Sequence, residues 1–323
     1  MRVSVLDTSP IVEGSTAREA LRRTVDLAVL AEDLGYHRYW VPEHHGMRGV
    51  ASSAPAVVVG QIAAETSRIR VGAGGVLLPN HAPIVVAEQF GTLAAFHPGR
   101  IDLGLGRAPG GPRAAVAAVR GSADRAAEPF AEQVKDLLAY FAGDRPVPAV
   151  PAIGNVPDVW VLGSSAAGAR TAAGLGLPYA YAHHLNAREA VEALAEYRRI
   201  TVRPTLLSVA VIAADTDVHA AWLAGPARLK ALSRHRGRRI LLPDPETAAV
   251  GLSDADPEEI TAHSDHLVAG SPETVQDRLQ GLLDRAGPHE LMITTPVFDH
   301  ADRRRSYELV AEVAQRLRPV HSH

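Results

Sequence analysis

The stretch VGAGGVLLPN, residues Val71–Asn80, decides how this chain is to be read. It continues Arg68, Ile69 and Arg70 as a buried strand would, then meets Gly72, Gly74 and Gly75 within four positions. Glycine has no side chain to pack and loses the most conformational freedom on folding. Inside a strand it therefore marks a bulge, a bend, or a place where another backbone or a ligand comes close. The strand is expected over Arg68–Gly72, with its C-terminal end pressed against something.

Outward from this point, short apolar runs alternate with helical patterns. Further strands are expected at Val3–Leu6, His37–Val41, Ile101–Leu105, Val159–Leu162, Tyr179–Ala182, Leu206–Ile212 and Glu290–Thr294. Helices are expected at Thr16–Leu34, Val57–Glu65, Pro83–Phe96, Ala126–Phe141, Ala166–Leu175, Ala187–Arg199, Val218–His235, Pro272–Ala286 and Ala301–Leu317. In the first helix Leu21, Val25, Ala28 and Leu30 form the inward stripe, while Arg23, Asp26 and Asp33 face out. Ser15 reads as its N-cap and Gly35 as its stop.

Eight strands, each trailed by a helix, are the count of a (β/α)8 TIM barrel. An open doubly wound sheet also buries its strands on two faces, so periodicity alone does not separate the two. The count favours the α/β barrel, as does the lack of a linker-like break. Gly143–Pro157 is rich in proline but short, and reads as a loop. One domain is expected over residues 1–323, with an insertion at about 236–265 before the last barrel units.

Composition narrows the function. The net charge is −3 and 46% of residues are hydrophobic. That leaves no electrostatic footprint for nucleic acid or an anionic membrane. There is no cysteine, which excludes disulfides, thiolate metal sites and a cysteine nucleophile. No signal peptide and no apolar run of membrane-spanning length is read, so a cytoplasmic protein is expected.

Barrel chemistry gathers at the C-terminal ends of the strands. Polar residues collect there: Glu43, His44 and His45 in WVPEHHG; Asn80 and His81; Arg107 in LGLGRAPGG; Ser164 and Ser165 in LGSSAAG; His183, His184 and Asn186 in YAHHLN; Thr294, Thr295, Asp299 and His300 in TTPVFDH. Plain structural roles also fit them. Ser164 and Ser165 are ordinary capping residues, and Arg107 suits a surface ion pair. A helix opened by glycine and serine is also a ready phosphate site, and an arginine beside it adds a bidentate partner. GLGRAPGG lacks the third glycine of a dinucleotide fingerprint, and LGSSAAG lacks the second glycine of a nucleophile elbow.

Taken together, WVPEHHG, VGAGGVLLPNHAPIVVAEQFGTLAAFHPGRIDLGLGRAPG, VLGSSAAGARTAAGLGLPYAYAHH and HLVAGSPETVQDRLQGLLDRAG resemble the bacterial-luciferase-like flavin monooxygenases, in order and over nearly the whole chain. The resemblance fades at about 110–158 and 215–262. It implies a TIM barrel holding FMN at its C-terminal rim. It places Gly74-Gly75 at a non-proline cis peptide on which the flavin ring rests, and Arg107, Gly163, Ser164, Ser165 and Gly168 around the phosphate. His44 falls at the active-site histidine, with Glu43 beside it, and His183 is placed in the substrate pocket. Many relatives have a hydroxyl residue where Gly168 stands, so FMN is expected to be weakly held here.

The activity implied is oxygenation of a small organic substrate by reduced FMN and O2. A separate NAD(P)H:flavin reductase is expected, since no nucleotide fingerprint is evident. A secondary-metabolite step, for instance on a polyketide, is one expectation for the substrate; light emission is not expected. A homodimer is the default. Three alternatives stay open: a deazaflavin-dependent oxidoreductase on the same fold, a non-catalytic flavin-binding relative, and a metallohydrolase built from the rim histidines.

Overall fold

The computed structural model describes residues 1–108, 110–120 and 128–320. Nine parallel strands share one sheet: β1 Arg2–Leu6, β2 Arg38–Val41, β3 Arg70–Leu77, β4 Ile101–Gly106, β5 Asp158–Gly163, β6 Tyr179–Ala182, β7 Thr205–Ala213, β8 Leu267–Gly270 and β9 Glu290–Thr294. Strands β1 to β7 pair in sequence, β7 pairs with β9, and β9 pairs with β1. Eight strands thus close into a barrel, as the sequence predicts. β8 is a ninth strand, missed by the sequence reading. It pairs with Ala210–Ala213 at the C-terminal end of β7, while β9 takes Leu206–Ala210.

The helices are α1 Ala17–Asp33, α2 Pro55–Glu65, α3 Pro83–Phe96, α4 Arg113–Arg120, α5 Phe130–Ala142, α6 Ala166–Gly174, α7 Ala190–Ile200, α8 Asp217–Leu223, α9 Gly225–His235, α10 Pro245–Leu252, α11 Pro257–Ser264, α12 Pro272–Ala286 and α13 His300–Arg316. Several boundaries correct the sequence expectations. The N-cap of α1 is Thr16, whose extended backbone lets Oγ1 accept from the Glu19 N–H at 3.2 Å. Ser15 instead donates to the Glu19 carboxylate at 2.8 Å. The buried stripe of α1 is Ala20, Thr24, Leu27, Ala28 and Ala31, so Leu21, Val25 and Leu30 flank it. The helix expected over Val218–His235 is two, α8 and α9, because Pro226 has no N–H to continue the first and starts the second. The expected insertion holds α10 and α11, and α4 was not foreseen. Ala126, the expected start of the helix observed as α5, lies outside the described residues.

Side-chain alternation sorts the strands cleanly. Val3, Val5, Tyr39, Val41, Val71, Ala73, Leu103, Leu105, Val159, Val161, Tyr179, Tyr181, Leu207, Val209, Leu291 and Ile293 pack outward with the helices. Leu6, Trp40, Trp160, Ala180, Leu206 and Met292, with half-buried Leu162, form a separate cluster inside the barrel. At the N-terminal end of the interior, charges are paired. Arg38 bonds Asp102 and Glu290 at 2.8 Å each, and Trp40 Nε1 donates to Asp102 at 2.8 Å. Burial alone would raise the Glu290 carboxyl; His37, Arg38 and Ser4 bring it down to about 2. The inner cluster above this layer is the apolar floor of the C-terminal mouth.

β3 runs to Leu77, through the glycines at which it was expected to stop. The Gly74–Gly75 peptide is cis. Gly75 is an extra residue in the pairing with β4, which passes from Gly74–Gly104 to Val76–Leu105. The protein itself supplies what presses on this backbone. A Cβ on Gly75 would lie 2.6 Å from the Gly104 carbonyl oxygen, and one on Gly74 would lie 2.9 Å from the Trp40 ring.

Candidate active site

The loop after β2 carries Glu43, His44 and His45. Glu43 is 2% exposed, and its carboxylate receives three donors from three elements. His45 Nε2 lies 2.7 Å from Oε1, His81 Nε2 2.8 Å from Oε1, and the Leu77 N–H donates to Oε2 at 2.9 Å. Burial raises this carboxyl, but the bonds from His81, Leu77 and His45 together hold it below the ordinary range. Glu43 makes no bond to His44. It ties the β2 loop to the end of β3 and so acts on His44 through the backbone. That loop is further fixed by His44 N–H to Ser52 O at 3.0 Å and Ser52 Oγ to Pro42 O at 2.6 Å.

His44 is half-buried, and its Nδ1 is buried with no partner. Burial lowers its pKa, the Glu43 charge opposes this, and His45 adds to the lowering. The net direction is down, so the ring is neutral at neutral pH. Gly74, on the strand paired with β2, is the one half-buried residue of β3 beyond Arg70. Its missing side chain leaves bare peptide there.

The turn from β5 into α6 is held from below. Tyr179 Oη donates to Ser165 O at 3.0 Å; Tyr181 Oη and Asn186 Nδ2 donate to Ser164 O at 3.1 and 3.0 Å. A trans peptide holds N–H antiparallel to C=O. With both carbonyls turned inward, the N–H groups of Ser165 and Ala166 turn outward at the helix N-terminus. Ser165 Oγ caps the helix by accepting from Gly168 N–H at 3.3 Å. The tyrosine also explains the two glycines. A Cβ on Gly163 or Gly168 would lie 2.8 or 3.0 Å from Tyr179 Oη, so that hydroxyl fills the volume a side chain would need. Arg107 follows β4, the strand paired with β5; it is exposed, and its guanidinium has no partner among the described residues.

The two histidines after β6 go separate ways. His183 follows the outward parity of Tyr179 and Tyr181. It lines a cleft of about 510 Å³ outside the barrel with His266, Asp265 and Arg285. His183, expected in the substrate pocket, thus stands on the outer side of the barrel wall, away from Glu43 and His44. His184 follows the inward parity of Ala180 and Ala182. Its Nδ1 lies 2.8 Å from Ser208 Oγ and 3.3 Å from Ser208 O, on an inward position of β7. Other rim residues serve structure. Asp299 caps α13 through the Ala301 and Asp302 N–H groups, His300 pairs with Asp26, and Asn80 accepts from Arg120.

The family model for luciferase-like monooxygenases matches residues 1–290. The chain belongs to that family. It is 39% identical to the luciferase-like monooxygenase of Escherichia coli K12, with 97% of each chain covered. It is 34% identical to the N-acetyl-S-alkylcysteine monooxygenase of Bacillus subtilis, over 97% of this chain and 98% of that one. The crystal structure of apo-MsnO8 superposes with a TM-score of 0.93 at 38% identity, covering 99% of each chain.

In this luciferase-like monooxygenase the structure brings Glu43, His44, Gly74 and Gly75 to one part of the rim, and Arg107, Gly163, Ser164, Ser165 and Gly168 to another. Sequence reasoning missed the contacts of Ser208 and Tyr179, and it did not foresee that His183 and His184 lie on opposite sides of the barrel wall. Strand parity was the signal: small Ala180 and Ala182 alternate with large Tyr179 and Tyr181, which places residue 184 inside. Among the described residues, no three His, Cys, Asp or Glu side chains are grouped to hold a metal ion, and no helix is long and apolar enough to cross a membrane.

Proposed function

We propose that this luciferase-like monooxygenase takes reduced FMN from a separate NAD(P)H:flavin reductase and inserts one atom of O2 into a small organic substrate. One observation carries the reading. The outward N–H groups of Ser165 and Ala166 stand at a helix N-terminus, beside a strand whose loop presents Arg107, without a partner among the described residues. Oriented backbone donors, a positive dipole end and an arginine fork fit a phosphate monoester. The bare peptide at Gly74, on the strand next to β4, gives a planar ring a surface to lie on. No side chain at Gly168 reaches the phosphate, so retention rests on backbone groups and Arg107. Weak retention suits a cofactor that arrives reduced and leaves oxidised.

When bound, reduced FMN supplies the two electrons that let one atom of O2 enter the substrate while the other leaves as water. The chain's own groups do the rest. His44 takes up or releases a proton at Nε2, since its Nδ1 is buried against the protein. Glu43 fixes the loop that carries His44. The floor of Leu6, Trp40, Leu206 and Met292 keeps water from the reacting atoms and suits an uncharged ring system, as in a polyketide tailoring step. α2 and α3 have apolar residues on their outer faces as well, with Val57 at 73% and Phe96 at 76% exposed, which supports a homodimer across them.

Anaerobic titration of the protein with reduced FMN, and separately with a deazaflavin, tests the reading. Saturable FMN binding is expected, as is O2 uptake when a flavin reductase and NADH are added. His44→Ala should lower oxygenated product per flavin oxidised. Binding of the deazaflavin with no binding of FMN in either redox state would overturn it.

A further inference from the structure

Two histidines, one on each side of the barrel axis in the strand order, reach the C-terminal mouth: His44 after β2 and His184 after β6. Only the first enters the proposed oxygenation. His184 is held twice by Ser208, through its backbone N–H to Ser208 O at 3.0 Å and through ring Nδ1 to Ser208 Oγ and O. Ser208 is buried and sits one inward position above Leu206, a floor residue. The ring therefore stands over the apolar floor. A carbonyl oxygen accepts only, whereas the Ser208 hydroxyl can donate or accept, so only the tautomer with the ring proton on Nδ1 satisfies both contacts. Nε2 is left as a lone pair, and no protein group bonds it among the described residues.

The surroundings say what that lone pair is for. Among the described residues no carboxylate bonds His184, and Glu43 is taken up by His45, His81 and Leu77. Burial and the neighbouring His183, His266 and His44 bring the His184 pKa down to about 4, against the opposing bond from Ser208. The ring is thus an uncharged acceptor above an apolar floor. A substrate carboxylate or ammonium placed there finds no opposite charge, whereas a neutral hydroxyl finds a ready acceptor.

We propose that His184 binds the substrate, accepting a hydrogen bond at Nε2 from a hydroxyl on an uncharged ring compound, a phenol or enol, and that Ser208 fixes the ring tautomer for this. The inference rests on the oxygenase reading of the same mouth, but its test does not need flavin. NMR titration with 1-naphthol, 1-methoxynaphthalene and 1-naphthoate, following the imidazole nitrogens of the intact protein, reads it directly. Free protein should show the Nδ1–H tautomer at His184. 1-Naphthol should shift the Nε2 resonance and bind about tenfold more tightly than the ether or the carboxylate, the value of one added hydrogen bond in a mouth of this kind. In His184→Phe the preference for naphthol over the ether should fall to about twofold or less, and His184→Asn, which keeps an acceptor, should restore part of it. An Nε2–H tautomer, equal affinity for naphthol and its ether, no binding of naphthol, or a preference that survives in His184→Phe would each overturn the proposal. FMN titration is scored separately. A protein that prefers naphthol through His184 yet binds no FMN keeps this inference and loses the oxygenase reading, and the converse result does the opposite.

Discussion

Glu43→Gln tests how the rim is held. The carboxylate accepts from His45, His81 and the Leu77 N–H, all donors, from a position 2% exposed. Glutamine fits the space but brings one acceptor and one donor. If its oxygen serves the two histidines, its NH2 meets the Leu77 N–H. If the amide is flipped, the NH2 meets the histidine donors. In the first orientation a buried donor is left without an acceptor, in the second both imidazoles must move their ring proton to Nδ1, and in either the bonds lose their charge assistance, for a cost of about 2–3 kcal/mol. Urea denaturation at pH 7 measures this.

The pH dependence gives a sharper test. The Glu43 carboxyl has a folded-state pKa below its ordinary value of 4.5. A lowered pKa means that the ionised group stabilises the fold fully above the unfolded value and loses that contribution as pH falls through the folded value. The stability gap between wild type and Glu43→Gln should therefore stand at neutral pH and narrow below pH 4.5. Equal urea midpoints at pH 7, or a gap that stays constant into acid, would refute the view that Glu43 acts as a buried, ionised acceptor.

Three more substitutions separate fold from site. Gly75→Ala puts a Cβ 2.6 Å from the Gly104 carbonyl oxygen and 2.9 Å from its carbon, both backbone, and should cost about 2–3 kcal/mol by denaturation. Arg107→Ala removes an exposed guanidinium that has no partner among the described residues; the urea midpoint should not move, while FMN affinity should fall about tenfold or more, read by flavin fluorescence. Gly168→Ser places a Cβ 3.0 Å from Tyr179 Oη. It should destabilise by about 1 kcal/mol in the wild type and by less in Tyr179→Phe, giving a measurable coupling in a double-mutant cycle.

The barrel was legible because eight apolar runs alternate with helical patterns. β8 was not, since a four-residue strand at the end of an irregular segment gives periodicity nothing to grip. The end of β3 was misplaced because glycine was read as a stop, whereas pairing with β4 overrides its weak strand preference. At the site, residue types and rim positions were readable, but partners were not. Nothing in WVPEHHG says that Glu43 turns to His81 instead of His44, since that pairing is made by the β3 end 38 residues away. The buried Asp7–Arg303 pair, closed across 296 residues, is equally invisible in one dimension.

The glycines of VGAGGVLLPN carry less functional weight than their position suggests. Gly72 is required by Asp102 and Trp40, Gly74 by Trp40 and Leu6, and Gly75 by the Gly104 backbone. Packing of the floor and the bulge against β4 would demand all three in a barrel that bound nothing. What they do for function follows from that demand: a residue kept bare by the floor beneath it also leaves bare peptide facing the mouth above. The features on which the proposed cofactor site rests lie two strands on, where Tyr179, Tyr181 and Asn186 bond the carbonyls of Ser164 and Ser165. Ser165 O also accepts the first bond of α6, from the Ala169 N–H at 3.2 Å, so its direction follows from the helix; Ser164 O is held by Tyr181 and Asn186, and the exposed Arg107 has no partner among the described residues. For that reason Arg107→Ala, which should change flavin affinity and leave the fold alone, decides more about function than any substitution among the glycines.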